Sequence, residues 1–177
     1  MFNYDEAFSR NIGWVTKEEQ QKLRKTKVAI GGLGGVGGDH TTVLSRLGVG
    51  NFHISDLDDY DVANFNRQAG ANMSTLGKAK AAVMEETIKG INPEAHVKNF
   101  DNGIDENNLE EFLDGVDIYV DSLDIFCLDI RRKVFRRCYE KGIPTITAAP
   151  MGMGTAFLVF MPGKMSFDEY FAIVDPK

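Results

Sequence analysis

Directly after the short apolar run Lys27–Ile30, the chain reads Gly31-Gly32-Leu33-Gly34-Gly35-Val36-Gly37-Gly38, six glycines in eight residues. Within it lies Gly32-x-Gly34-x-x-Gly37, and the residues that follow are patterned as a helix, the setting in which such a run binds phosphate. The first glycine permits a tight turn, the second lets backbone approach a phosphate, and the third lets helix lie close on strand. Gly35 adds a further free backbone amide, and amides at the start of a helix donate to anionic oxygens. Asp56, 24 positions after Gly32, ends the next apolar segment, where a carboxylate can accept hydrogen bonds from ribose hydroxyls. The plain alternative is a glycine-rich turn that binds nothing.

These features alone fit a dinucleotide such as NAD at least as well as ATP. The polar loop that follows separates the two. Asn64-Phe65-Asn66-Arg67-Gln68 precedes Gly77-Lys78-Ala79-Lys80, so two cations, Arg67 and Lys80, come close behind the ribose acid. A hydride-transferring enzyme has no need of them. An enzyme that splits a triphosphate does, because negative charge accumulates on the α-phosphate and the leaving pyrophosphate. Taken singly, each cation would be an ordinary surface charge. Farther on, Asp121-Ser122-Leu123-Asp124 closes another apolar segment. Asp124 can offer magnesium a hard oxygen ligand, with helix capping as its ordinary alternative. Asp121 either shares the metal or simply ends the strand, and Asp58 is similarly open.

The elements that must position these residues alternate. Strands are expected at Lys27–Ile30, Asn51–Ser55, Ala95–Phe100, Val116–Val120, Thr145–Ala148 and Gly154–Phe160. Helices are expected from Thr16 to Lys25, after the glycine loop (with Val43, Leu44 and Leu47 on one face), over Lys78–Lys89, over Asp105–Leu113 and over Arg131–Lys141. Gly48, Gly90 and Gly142 stop three of them. Ser166-x-x-Glu169 has the form of a capping box for a short helix ending by Asp175-Pro176. Strand–helix alternation with short connections predicts an α/β fold: a Rossmann-like, doubly wound, mainly parallel sheet with helices on both faces, forming one domain over residues 1–177.

Composition sets the outer bounds. An apolar share of 43% and a charged share of 26% are ordinary for a globular protein. No apolar run reaches the roughly 20 residues of a membrane span, and Met1 to Arg10 has no apolar signal core, so a cytoplasmic protein away from membranes is expected. The net charge of −6 weighs against a nucleic-acid partner. Cys127 and Cys138 make neither a disulfide framework nor a Cys-x-x-Cys zinc pair. Cys138 falls within a helix pattern and reads as a packed small hydrophobe. Cys127 sits in the run Phe126-Cys127-Leu128, which is expected to pack. His40 reads as a solvated or packing residue, and His53 and His96 fall in strands without metal spacing.

The ordered set Gly-x-Gly-Gly-x-Gly, Asp56, Asn-x-x-Arg-Gln, Lys80 and Asp-x-x-Asp resembles the ThiF/MoeB family, which includes the adenylation domains of ubiquitin-activating enzymes. The resemblance runs from about Phe8 to Phe160. It implies ATP- and magnesium-dependent activation of a carboxylate as its acyl-adenylate, most often the C-terminal glycine of a ubiquitin-like protein. Carried over by position, Gly32, Gly34, Gly35 and Gly37 match the phosphate loop, and Asp56 matches the ribose acid, with Asp58 beside it. Asn64, Arg67 and Gln68 match the polar loop at the phosphates, Lys80 the lysine behind it, and Asp124 the magnesium ligand. Arg10, in Phe8-Ser9-Arg10-Asn11, matches an arginine that reaches a partner's active site, which implies a homodimer with Phe8 and Trp14 as aromatic anchors. The pattern is broken at Ile125, where the family often has asparagine, and by the missing zinc pairs. The chain also stops soon after Phe160, and a fragment of a longer protein is expected. The rival readings are an NAD-dependent oxidoreductase and a non-catalytic nucleotide-binding scaffold.

Overall fold

The computed structural model describes residues 1–174. Its strands are β1 (Lys27–Gly31), β2 (Asn51–Ser55), β3 (His96–Phe100), β4 (Ile118–Asp121), β5 (Thr145–Met151) and β6 (Gly154–Phe160). Its helices are α1 (Tyr4–Ala7), α2 (Lys17–Lys25), α3 (Gly35–Leu47), α4 (Lys80–Ile91), α5 (Leu109–Phe112), α6 (Leu128–Lys141) and α7 (Phe167–Tyr170). The strands form one sheet in the order β3-β2-β1-β4-β5-β6, parallel throughout except for the β5–β6 hairpin. The chain winds outward from β1 through β2 to β3, then returns to the other side of β1 as β4. That reversal sets the ends of β1 and β4 side by side, with Gly31 opposite Asp121. Doubly wound sheets bind ligands in the crevice so formed.

Period-two alternation along each strand divides the core in two. Val28, Ile30, Phe52, Ile54 and Val120 face Ala81, Met84 and Ile88 of α4. Ala29 and Tyr119 face the other way, toward Phe112, Val134, Phe135 and Cys138. On that side Phe100, Phe112, Tyr119, Phe135 and Phe160 meet edge-to-face in sequence, at centroid distances of 5.2, 6.1, 6.0 and 5.3 Å. Each buried aromatic stabilises the fold by about 1.5–3 kcal/mol, so this row holds α5 and α6 firmly on the sheet.

Several boundaries differ from expectation for local reasons. The helix expected from Asp105 begins at Leu109, because the Asp105 carboxylate accepts from the amides of Asn107 and Asn108 and makes a turn instead. Helix α6 starts at Leu128, three residues early, behind a 3-10 turn at Ile125–Cys127. Val43 is exposed. The buried side of α3 is built from Gly37, Gly38, Thr41 and Ser45, small residues whose hydroxyls bond back to the helix at Gly37 and Thr41 carbonyls; of the expected apolar face Leu44 packs partly buried against the core, and Val43 does not. The run Phe126-Cys127-Leu128 does not pack: Phe126 is 93% exposed and Cys127 is exposed, because the turn lies beyond the end of β4. The Ser166–Glu169 capping box forms, and α7 ends at Tyr170; the expected stop at Asp175-Pro176 lies outside the described residues. Among those residues no helix is long and apolar enough to cross a membrane.

Candidate nucleotide site

The glycine loop is defined by what it cannot hold. Gly32 has φ +84°, and a Cβ there would stand 2.4 Å from the Ser122 carbonyl oxygen; a Cβ on Gly37 would stand 1.8 Å from the Gly32 carbonyl oxygen. The first contact seats the turn after β1 against the turn after β4, and the second seats α3 on β1. Gly34 then caps α3 without a side chain, leaving the first amides of the helix open to an anion.

The loop carrying Asn64, Arg67 and Gln68 closes over this turn. The Arg67 carbonyl and Cγ lie 3.3 and 3.5 Å from the Cβ position of Gly35, and Gln68 Nε2 lies 3.7 Å from that of Gly34. Gln68 is buried, yet its Oε1 has no hydrogen-bond partner among the described residues. Arg67 donates to the Ala63 carbonyl and to Asn66 Oδ1 and stays exposed. Asn64 Oδ1 accepts from the Asp61 amide, which fixes the short 3-10 turn that leads into Arg67. Tyr60 is buried beneath, its hydroxyl pushed up to about 12 by burial and then by Asp56.

Asp56 is oriented by two amides, accepting from Leu33 N–H at 2.6 Å and from Asp58 N–H at 2.9 Å. One carboxylate thus bridges the glycine loop and the polar loop. Lys80 opens α4 and is buried, with Nζ 2.9 Å from Asp58 Oδ2. Asp124 is exposed at the end of the Ser122–Leu123 turn that presses on Gly32. Its Oδ1 caps the following 3-10 turn through Phe126 N–H, and Oδ2 makes no hydrogen bond among the described residues. The capping role and a free carboxylate oxygen therefore coexist. Such an oxygen fits magnesium, which takes one or two carboxylates and completes its shell with phosphate and water.

Asp121 is a different matter. It is fully buried, paired with Arg131 at 2.6 Å, and the same guanidinium donates to Thr147 on β5. Burial pushes its carboxyl up from the ordinary range while Arg131 opposes the shift. Asp121 is thus committed to tying β4, β5 and α6 together. No sequence pattern pointed to Arg131, since its partner is set by sheet order. His40, half-buried with its imidazole pulled down by burial, lies 3.4 Å from Ser122 Oγ. Cys138 is buried and its thiol pushed up to about 12, which leaves it inert.

Arg10 does not join the other residues. It is exposed in the 3-10 turn Ser9–Asn11, where Asn11 donates to the Leu47 carbonyl at the far end of α3. A helix of that length sets it about 20 Å from the glycine loop. Phe8 is buried within its own chain against Tyr4, whereas Trp14 is 93% exposed.

Residues 8–176 match the ThiF family. The chain is 37% identical over 142 residues to a tRNA threonylcarbamoyladenosine dehydratase of Bacillus subtilis, covering 80% of this chain and 55% of that one. It is 32% identical to a molybdopterin-synthase adenylyltransferase of Haemophilus influenzae, covering 82% and 59%. Among solved structures, the Escherichia coli tRNA N6-threonylcarbamoyladenosine dehydratase TcdA in complex with ATP aligns with a TM-score of 0.76 at 29% identity, over 81% of this chain and 58% of that one. The chain spans about half the length of the curated relatives it matches. With the glycine loop, Asp56, the polar loop and Lys80 in this arrangement and the match running over 8–176, the chain belongs to the ThiF family.

Proposed function

We propose that this chain binds ATP with magnesium and activates a substrate carboxylate as its acyl-adenylate. One observation carries the reading: Arg67 and Gln68 lie over Gly34 and Gly35, with the Gln68 amide nitrogen, a hydrogen-bond donor, on the side of a turn whose first helix amides are open. Donors from the polar loop and from the helix start thus converge there, which suits a polyphosphate. Asp56 would hold the ribose. The carboxylate would attack the α-phosphate in line, while Arg67, Lys80 and the loop amides stabilise the charge that grows there. Asp124 would hold magnesium, which when bound neutralises charge on the phosphate oxygens. Pyrophosphate leaves.

The ATP and AMP complexes of TcdA support the nucleotide. They weigh against the oxidoreductase reading, and pyrophosphate exchange separates adenylation from a nucleotide-binding scaffold. The carboxylate has two sources among the relatives: a threonylcarbamoyl group on a tRNA nucleoside, and the proteins that sulfur-carrier adenylyltransferases modify. A negative chain charge disfavours extended nucleic-acid contact but does not weigh against a single modified nucleoside entering a pocket. An assembly of two copies completes the reading, because Arg10 can approach only another chain's phosphate loop.

ATP–pyrophosphate exchange tests the proposal with two probes: a peptide ending in Gly-Gly, and tRNA bearing threonylcarbamoyladenosine. Exchange driven by either supports adenylation and names the substrate class. Tight NAD binding without measurable ATP binding would sink it.

A further inference from the structure

Lys80 forms an ion pair with Asp58, and the way Asp58 holds the lysine goes beyond a chance contact. The Lys80 side chain is only 7% exposed, whereas that of Asp58 is 59% exposed. Two contacts fix the lysine from this residue: its backbone amide donates to the Asp58 carbonyl at 2.9 Å, and its Nζ donates to Asp58 Oδ2 at 2.9 Å. Around them residues 58–60 pair antiparallel with 77–80, through Tyr60 N–H to Lys78 O and Gly77 N–H to Tyr60 O. Asp58 is itself fixed, since its amide donates to Asp56 Oδ1 while Leu33 of the glycine loop donates to Oδ2. A continuous chain of hydrogen bonds therefore runs from the phosphate loop through Asp56 and Asp58 to the Lys80 ammonium.

A carboxylate this exposed adds little stability as an ion pair, and its charge repels a phosphate, so neither explanation accounts for its place. A lysine ammonium on a free four-carbon stem loses considerable rotamer entropy when it docks on a ligand. Pinned beforehand, it loses much less. We propose that Asp58 is a positioning residue that holds the Lys80 ammonium in the nucleotide site before the phosphates arrive. The inference rests on the adenylation reading, deepens it, and moves Asp58 from nucleotide ligand to partner of the lysine.

The test pairs a binding readout with one that needs no nucleotide. ATP·Mg and adenosine are titrated calorimetrically into the parent, Asp58→Ala and Asp58→Asn. Lysine acylation by an activated acetate ester is mapped by peptide mass spectrometry on the same proteins. Asp58→Ala is expected to weaken ATP by roughly tenfold to a hundredfold, the cost of misplacing one group in a preorganised site. Adenosine, which shares base and ribose but lacks phosphate, should stay within about twofold. Lys80 acylation should rise several-fold relative to exposed Lys164, with Asp58→Asn, which keeps an acceptor, falling between. Equal weakening of ATP and adenosine, or unchanged Lys80 acylation, overturns the positioning role. A parent that fails to bind ATP while the acylation contrast persists overturns the adenylation reading instead and leaves the Asp58–Lys80 pairing standing.

Discussion

The carbonyl oxygen of Ser122 stands 2.4 Å from where a Cβ on Gly32 would lie, so the turns after β1 and β4 meet with no room for a side chain between them. Gly32→Ala should therefore cost more than its left-handed φ alone, about 1–2 kcal/mol, and should remove nucleotide binding by pushing the Ser122–Asp124 turn away. Gly77 has φ +75° with nothing within 4 Å of its Cβ position, and Gly77→Ala should show only the conformational cost. Urea denaturation with ATP titration checks both. Equal losses in the two variants would mean the steric contact is unimportant.

Asp56 and Asp124 should separate binding from chemistry. A ribose contact is the same in ground and transition states, whereas charge at the α-phosphate grows as it is attacked. Asp56→Ala should chiefly raise the ATP KM. Asp124→Ala should lower kcat by about a hundredfold to a thousandfold, and Lys80→Ala, whose ammonium docks on the phosphates in the ground state as well, should lower kcat similarly and raise the ATP KM. Pyrophosphate exchange at parental rates in the latter two would remove both residues from the mechanism.

Arg10 and the glycine loop occupy opposite ends of α3, which makes complementation between copies a direct check. Mixing inactive Arg10→Ala with inactive Lys80→Ala should restore about a quarter of the parental exchange rate, since half the dimers are mixed and each mixed dimer holds one intact site. Mixtures no more active than either variant, or a strictly monomeric parent in sedimentation, would leave Arg10 without a catalytic part.

His53 links stability to pH. Its imidazole is buried between Phe100 and Phe112, with Nδ1 2.8 Å from the Phe112 carbonyl. Burial, with Lys27 and Lys98 nearby, pulls its pKa below the ordinary value, although the Phe112 bond and Asp114 oppose this. The unfolded chain then takes up a proton that the native chain refuses. Its contribution to stability is complete above about pH 6.5 and lost as pH falls from there through the folded pKa. His40 shifts in the same direction. Between about pH 7.5 and 5.5 the parent's urea midpoint should fall more than that of His53→Gln; parallel curves would show that His53 does not report folding.

Much of this molecule is written along the chain. The glycine run after an apolar segment, Asp56 at the end of the next, and the strand–helix alternation are local patterns, and local patterns follow from backbone sterics and periodic burial. They sufficed for the fold class, for five strands to within two residues of either end and for the core of β5, and for naming Asp56, Asn64, Arg67, Gln68 and Lys80, which the fold gathers around the glycine loop. Tertiary structure decided which groups meet. Asp121 and Asp124 are three residues apart and chemically alike, yet one is sealed beneath Arg131 and the other is exposed, with one oxygen unbonded among the described residues. The difference is that β4 lies between β1 and β5, so a side chain at its buried end is surrounded while one just past it is not. Asp58 finds Lys80 across 22 residues, and Phe126 projects into solvent, for the same reason. Periodicity assigns a side chain to a face of its own element, but only the order of strands in the sheet determines what lies opposite that face.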